Sequence, residues 1–469
     1  MKDSTLPTLL QNLFELLEAH RPIFRQERTF LRALGLFISE LFVFARHTVT
    51  QDLLALGLTD ADWSAWYRLF SRKRFEADKA SQCLFQQTLK QAPATQPYVI
   101  GADGVQVPRS SLKMPGTSWL KALRTAAFKP GIHRAQRFLN LSWLTPLEEG
   151  YSRAIPLRWL PAFTAKAVPA ESPAQKEWQT CLDGIRWVRE QLDAAGRNSQ
   201  LLLALVDGGL EKAVDLWKGL PEHTVLLGRS ARNRVLHSLP QYDGFGRPPR
   251  YGERLPQPAT WLKVRQGWQT FHPMVRGKLR EMRYRVEGPC LREGLVEKPV
   301  FLIVVRGMSR TVNGHPIHRY PAFYLVSAVE QEGNWVLPLP IEELLTWAWQ
   351  RWELEVAHRE LKSGFGLGEK QCWTPHSTVT SVQWSAWVYA VLLLAGYRTW
   401  GLCHGPASPG RWWRGSKRWS FNTLWRGYRA ALWGTQDFRA VWTGTGDNWL
   451  KKGDWMAGLW NSVTAAARV

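Results

Sequence analysis

Through residues 1–92 apolar positions return every three or four residues, the spacing of one face of an α-helix. LPTLLQNLFELLEAH and ERTFLRALGLFISELFVFAR read as amphipathic or buried helices. In HTVTQDLLALGLTDADWSAWYRLFSRKRF a short helix ends near Gly57, and Thr59 with Asp62 offers a capping-box-like start to the next. QAPATQP, residues 91–97, reads as a linker. The pattern then shortens to that of strands. YVIGADG closes an apolar run on Asp103, RFLNLSWLTPL and AIPLRWLPAF follow, and EWQTCLDGIRWVREQLDAAG is a helix closed by glycine. LLLALVDGG is a buried strand ending on Asp207, followed by a helical LEKAVDLWKGL and the strand HTVLLGRSA. This alternation predicts an α/β fold with a mixed sheet.

From 229 to 340 the rhythm breaks. Arginines, Arg229 and Arg232 among them, crowd a Pro/Gly-rich loop, and short alternating strands such as EMRYRVEG, PVFLIVVRG and AFYLVSAVE follow. The expected organisation is a helical N-terminal DNA-binding domain (1–92), the first part of a catalytic domain (93–228) and a β-rich insertion (229–340). The second part of the catalytic domain (341–405) and a basic, Trp-rich helical tail (406–469) complete it. Residues 384–397 are strongly apolar over only about 14 residues, too few to span a bilayer, and read as a buried helix.

The stretch 341–366, IEELLTWAWQRWELEVAHRELKSGFG, carries two faces. Leu344, Trp347, Leu354 and Leu361 form an apolar stripe, while Arg351, Glu355, Arg359 and Lys362 project together beside it. Such a face is ordinarily a solvated set of ion pairs worth a few tenths of a kcal/mol each. It gains meaning from the charge of the chain: 61 Lys and Arg against 39 Asp and Glu, net +22 over 469 residues. A field of that sign attracts polyanions, nucleic acid first among them. An acidic membrane surface would require an amphipathic anchor, which the sequence lacks, so no membrane partner is expected. The basic end of the second short helix, with Arg72 and Lys73, has the form of a helix-turn-helix DNA reader, and equally that of a plain bundle with a basic rim. Five scattered cysteines without a CxxC argue against disulfides and structural zinc and for a reducing cytoplasm.

Asp103 and Asp207 each end an apolar strand, and Glu355 lies on an amphipathic helix that a sheet can carry. Three gathered carboxylates repel one another unless a cation neutralises them. Hard oxygen donors select Mg²⁺ or Mn²⁺, and two such ions activate a nucleophile and stabilise the leaving oxygen of a phosphodiester. Glu353 and Glu360 are rivals to Glu355 on another face, and His358 is either its neighbour in the site or a surface residue.

These residues resemble the DDE transposases of bacterial insertion sequences. Asp103 in IGADG and Asp207 in LVDGG stand where that family has its aspartates. RWELEVAHRELKSGFGL is similar to the glutamate helix of the branch with a Tyr-x2-Arg-x3-Glu-x6-Lys signature. Arg351, Glu355 and Lys362 take its arginine, glutamate and lysine places; Ala348 departs from its tyrosine, and Trp347 or Trp349 is the substitute aromatic. The resemblance implies an RNase H-like mixed sheet with flanking helices, a β-rich insertion and two divalent ions on Asp103, Asp207 and Glu355. It also implies double-stranded DNA as partner and a homodimer on paired ends near the bacterial nucleoid. The residues expected to grip the DNA are Arg351 and Lys362 at the family's places, Arg359 on the same face, and the basic Arg229, Arg232, Arg72 and Lys73. The implied activity is cleavage of transposon ends and transfer of the 3′-OH strand to target DNA. The alternatives are a metal-dependent nuclease of the same fold without strand transfer, and a catalytically inactive DNA-binding protein.

Overall fold

The computed structural model describes residues 6–59, 61–122, 131–164, 167, 174–242, 244, 246–312, 315–406 and 418–435. The tail segment RWWRGSKR, apart from its final Arg418, lies outside them, as does most of the chain beyond α12 (Phe421–Gly434).

The helical beginning resolves into α1 (Thr8–Ala19), α2 (Glu27–Ser39), α3 (Val49–Ala55), α4 (Ser64–Ser71) and α5 (Ala77–Leu89). Gly57, at φ 70°, makes the turn between α3 and α4, a conformation that glycine adopts without a Cβ penalty. Asp62 starts α4, its Oδ1 accepting from the Ser64 N–H at 2.8 Å. Arg72 and Lys73 fall in the turn after α4 and not on its outer face, because the helix ends at Ser71.

Next come β1 (Tyr98–Pro108), β2 (Thr117–Lys121), β3 (Ile132–Leu144), β4 (Ala154–Pro161), α6 (Glu177–Ala194), β5 (Leu202–Val206), α7 (Gly208–Glu211), α8 (Val214–Lys218) and β6 (Thr224–Arg229). The β-rich stretch holds β7 (Leu236–His237), β8 (Gln269–Phe271), β9 (Met274–Val275), β10 (Lys278–Leu279), β11 (Met282–Arg292) and β12 (Leu295–Val305). It continues with β13 (Met308–Val312), β14 (His315–Arg319), β15 (Ala322–Ser327), β16 (Val329–Gln331) and β17 (Asn334–Val336). Then come α9 (Ile341–Gln350), α10 (Trp352–Ser363) and α11 (Pro375–Trp400).

Among the described residues an eleven-stranded sheet runs in the order β2-β3-β1-β5-β6-β15-β12-β11-β7, with β4 on β3 and β8 on β11. β1, β5 and β6 are parallel, and β3 and β15 flank them antiparallel. Every residue of β5 is buried, as expected of a parallel strand covered on both faces. This is the RNase H-like mixed sheet with flanking helices. The β-rich stretch is not a module apart: β15 pairs with β6, and β12 and β11 continue the same sheet. Alternating strands supply free edges, and the edge of β6 was there to be completed.

The helical beginning is equally attached. α11 packs on β4 and on α1, α4 and α5, and one hydrophobic core runs from Leu9 through the sheet to Leu432. By length and composition α11 is apolar enough to cross a membrane, and it exceeds the short run seen in the sequence; yet 89% of its most apolar window is buried inside the protein. A helix apolar on all sides needs partners on all sides. The amphipathic faces of α1, α4 and α5 provide them.

Candidate active site

The register of two parallel strands builds the first half of the site. Ala102 on β1 lies beside Val206 on β5, so Asp103 and Asp207 follow the last parallel pair together. Asp207 leaves β5 there, whereas β1 runs on to Pro108 with Asp103 paired to Asn140, so Asp103 lies within its strand and does not close it as expected. Asp207 also caps α7, its Oδ1 accepting from the Leu210 N–H at 2.9 Å. The third carboxylate arrives by close packing. A Cβ at Gly101 would stand 2.4 Å from Leu354 Cδ1, so only glycine lets α10 sit this tightly on β1. Leu344, Trp347, Leu354 and Leu361 are all buried, as their spacing predicts, and they aim the next face at the sheet end. The expected single helix 341–366 divides at Arg351, which keeps helical angles (φ −52°, ψ −30°) between α9 and α10.

Asp103, Asp207 and Glu355 line one cleft of about 1070 Å³, together with Arg359, Lys362, His358, Arg137, Lys212 and Glu177. Glu177, at the start of α6, is a fourth carboxylate that the sequence reading missed. A Cβ at Gly104 would meet its Oε1 at 1.6 Å, so a side chain after Asp103 would push the Glu177 carboxylate from this position. Burial pushes the Asp103 carboxyl up to about 7; Arg351 opposes this, while Asp207, Glu355 and Glu177 add to it. The Glu177 carboxyl is also raised, by burial first and with Asp207 contributing, although Arg137 lies 3.4 Å away.

Arg351 reaches between two of the carboxylates, 2.8 Å from Glu355 Oε1 and 3.7 Å from Asp103 Oδ2. His358 is part of the site and not a surface residue. Its Nδ1 stands 3.8 Å from Asp103 Oδ2, and its Nε2 is 2.9 Å from the Asn140 amide, on the strand residue paired with Asp103. Burial lowers its pKa to about 3, with Lys362 and Arg351 adding to the effect, so it is a neutral imidazole here. The rivals to Glu355 are engaged elsewhere: Glu353 with Arg418 at 2.7 Å, and Glu360 with Arg153 and the Tyr389 hydroxyl.

The donor set fits a hard divalent cation. Its members are carboxylate oxygens, and an Asp103 carboxyl raised partly by its acidic neighbours is relieved by added positive charge. Among the described residues no three acidic, histidine or cysteine side chains are yet gathered closely enough to chelate an ion. The guanidinium of Arg351 stands between Asp103 and Glu355 instead.

The expected DNA-gripping residues divide into groups. Arg359 and Lys362 are exposed and border the cleft. Arg229 and Arg351 line a neighbouring cavity of about 150 Å³ with Tyr324, Ala348, Trp349 and Trp352. Trp349 lines this cavity and stacks on Phe271 at 6.1 Å, whereas Trp347 is buried. Arg232 is exposed on the loop after β6, while Arg72 and Lys73 lie on the helical layer, with Lys73 beside Glu76 and Asp78 in a separate depression.

No curated protein matches the chain. Among solved structures, the cryo-EM synaptic complex of piggyBac transposase with hairpin DNA is similar over 94% of this chain and 78% of its own, at 10% identity and a TM-score of 0.36, too remote to bear on function. A family model, by contrast, matches residues 15–288, which include Asp103, Asp207 and Glu177 but end before Glu355. With more than half its length matched and an RNase H-like sheet that brings two strand aspartates and a helix glutamate into one cleft, the chain belongs to the DDE superfamily endonucleases.

Proposed function

We propose that the protein is a transposase that binds transposon ends, cleaves them and joins the liberated 3′-OH to target DNA. The observation that carries this reading is the single cleft in which Asp103, Asp207 and Glu355 meet exposed Arg359 and Lys362. Carboxylates at one end of a sheet with cations on the adjoining helix face suit a phosphodiester held by its phosphates and attacked beside them. Mg²⁺ or Mn²⁺, two ions in the full reading, would be held by the three carboxylates and would supply a polarised phosphoryl oxygen and an activated hydroxyl.

The protein's own residues prepare the rest. Asn140 holds His358, whose other ring nitrogen lies 3.8 Å from the Asp103 carboxylate and so lines its position. Arg351 lies against Asp103 and Glu355, and its donor-only guanidinium could not itself bind a cation but could hold a phosphate beside them. Arg359 and Lys362 take phosphates flanking the scissile bond, and the net charge of +22 draws duplex DNA to this face. A homodimer on paired ends, acting in the cytoplasm, completes the proposal.

The test is a cleavage and joining assay with DNA carrying the inverted repeats that flank the gene, in Mg²⁺. Cleaved ends covalently joined to target, lost in Asp103→Asn, are expected. Cleavage without joining would reduce the protein to a nuclease of this fold. Salt-dependent DNA binding without cleavage would leave only a DNA-binding protein.

A further inference from the structure

Behind Asp207 lies a second constellation that the chemistry above does not use. α7 is one turn long: Asp207 caps its start, and the Glu211 N–H at its end donates to the Asp207 carbonyl at 2.9 Å. Glu211 is fully buried, yet it points into protein and not into the cleft. Arg234 pairs with its Oε2, and Arg292 on β11 reaches its Oε1 at 3.3 Å. Arg292 also donates to the carbonyls of Glu211 and Lys212 at 2.7 and 2.6 Å, and the Trp217 indole N–H donates to the Glu211 carbonyl at 2.8 Å. The turn that carries Asp207 is thereby clamped from behind.

Stability alone does not account for this clamp. Two arginines and a glutamate taken out of water lose hydration that their attraction barely returns, and apolar residues of the same size commonly do as well or better. Arg234 Nε is moreover buried without a hydrogen-bond partner. What the triad supplies is geometry: directional bonds that fix one position of α7. Arg292 comes from the extended sheet. Arg234 comes from the root of the arginine-rich loop, five residues beyond Arg229 and two beyond the exposed Arg232.

We propose that Arg234 is a positioning residue for Asp207, holding the Glu211 end of α7 so that the Asp207 carboxylate is presented to a divalent cation, and that it ties this placement to the arginine-rich loop. This rests on the reading of Asp207 as a metal ligand. Residues that orient a ligand in this way typically matter for metal affinity by roughly ten- to a hundredfold.

The experiment compares full-length wild type, Arg234→Met, Arg234→Lys, Arg232→Met and Asp207→Asn. Mn²⁺ binding to the free protein is measured by calorimetry or electron paramagnetic resonance. End-DNA affinity in chelator, melting temperature and the Mn²⁺ dependence of cleavage are measured beside it. Arg234→Met leaves Glu211 paired with Arg292, so the fold is retained. Its expected signature is Mn²⁺ affinity weakened roughly tenfold or more, unchanged DNA affinity, and cleavage restored by excess Mn²⁺. Arg234→Lys should recover part of the affinity, and Arg232→Met should weaken DNA binding alone.

Unchanged Mn²⁺ binding in Arg234→Met, with Asp207→Asn abolishing it, overturns the inference by itself. So does a loss of DNA and metal binding in parallel with a lowered melting temperature, which would mark a merely structural ion pair. Wild-type Mn²⁺ binding in Asp207→Asn would bring down the ligand assignment, and this inference with it.

Discussion

Among the described residues, the carboxylates around the cleft and those behind it are treated oppositely. Behind the cleft, Glu211, Glu353 and Glu360 each have arginine at hand: Arg234 and Arg292, Arg418, and Arg153. In the cleft, Asp103, Glu177, Asp207 and Glu355 crowd one opening, where Arg351 is shared between Asp103 and Glu355 and Arg137 reaches Glu177. The first group is closed, because its charge was compensated as the chain folded. The second stays open and crowded: burial first, with neighbouring carboxylates adding, raises the Asp103 and Glu177 carboxyls, although burial also raises Glu211 behind the cleft. Carboxylates left open to solvent and close together are the ones that a cation from outside could reach, which is what the proposed function asks of them.

The hardest test of that contrast removes the cleft carboxylates one at a time. Asp103→Asn, Asp207→Asn and Glu355→Gln should each lower metal-dependent cleavage by about a thousandfold or more, since metal stabilisation is worth several kcal/mol and each 1.4 is a factor of ten. Folding and DNA binding should persist. Robust cleavage by any one of them would remove that residue from the triad.

Stability should then respond with opposite sign in the two regions. Arg153→Met strips Glu360 of its buried arginine and should cost about 3–5 kcal/mol in chemical denaturation. Asp103→Asn relieves a crowded carboxylate and should raise the stability of the metal-free protein, by roughly 1–3 kcal/mol if a pKa unit counts for about 1.4. Equal losses in both would erase the distinction drawn here.

Arg351 bridges the two regimes, because it neutralises the cleft without closing it. Arg351→Ala should weaken end binding by about 1–3 kcal/mol, the worth of a charge-assisted hydrogen bond, while cleavage survives at high DNA and metal concentrations. An inactive Arg351→Ala with normal DNA affinity would make it part of the chemistry.

The smallest effect concerns pH and a third buried group. Burial raises the Glu40 carboxyl, but Lys370 and His47 outweigh it and hold it at about 2 against an ordinary 4.5. A depressed carboxyl contributes stability that is present above its unfolded pKa and lost as pH falls toward the folded one. Stability should therefore drop between pH 4.5 and about 2, and Glu40→Gln should flatten that slope. Asp52, beside it, is raised by burial and by Glu40, so it works in the other direction. An acid limb unaltered in Glu40→Gln would place the loss elsewhere.

Much of the site was legible because its signals are local. An apolar run buried in the sheet is legible, so the aspartates that interrupt β1 and follow β5 stood out, although β1 continues past Asp103 to Pro108. The stripe Leu344–Leu361 fixed which face of the helix Glu355 occupies. Glu177 had no such signal. It opens an ordinary amphipathic helix, and its carboxylate comes to lie in the space left by Gly104, 73 positions earlier. Glu353 and Glu360 were separable from Glu355 by helical phase, but their arginines on β4's approach and beyond α11 were not foreseeable.

By itself, then, the sequence determined the periods of its elements, the order of its carboxylates and the sign of its charge, since these depend on residues within a few positions of one another. Which edge β15 would complete, which helices would enclose α11, and which carboxylates would be neutralised were decided only by the tertiary structure. Those outcomes depend on contacts between residues far apart in the chain: a cation two hundred positions away neutralises a buried charge only when folding brings the two together.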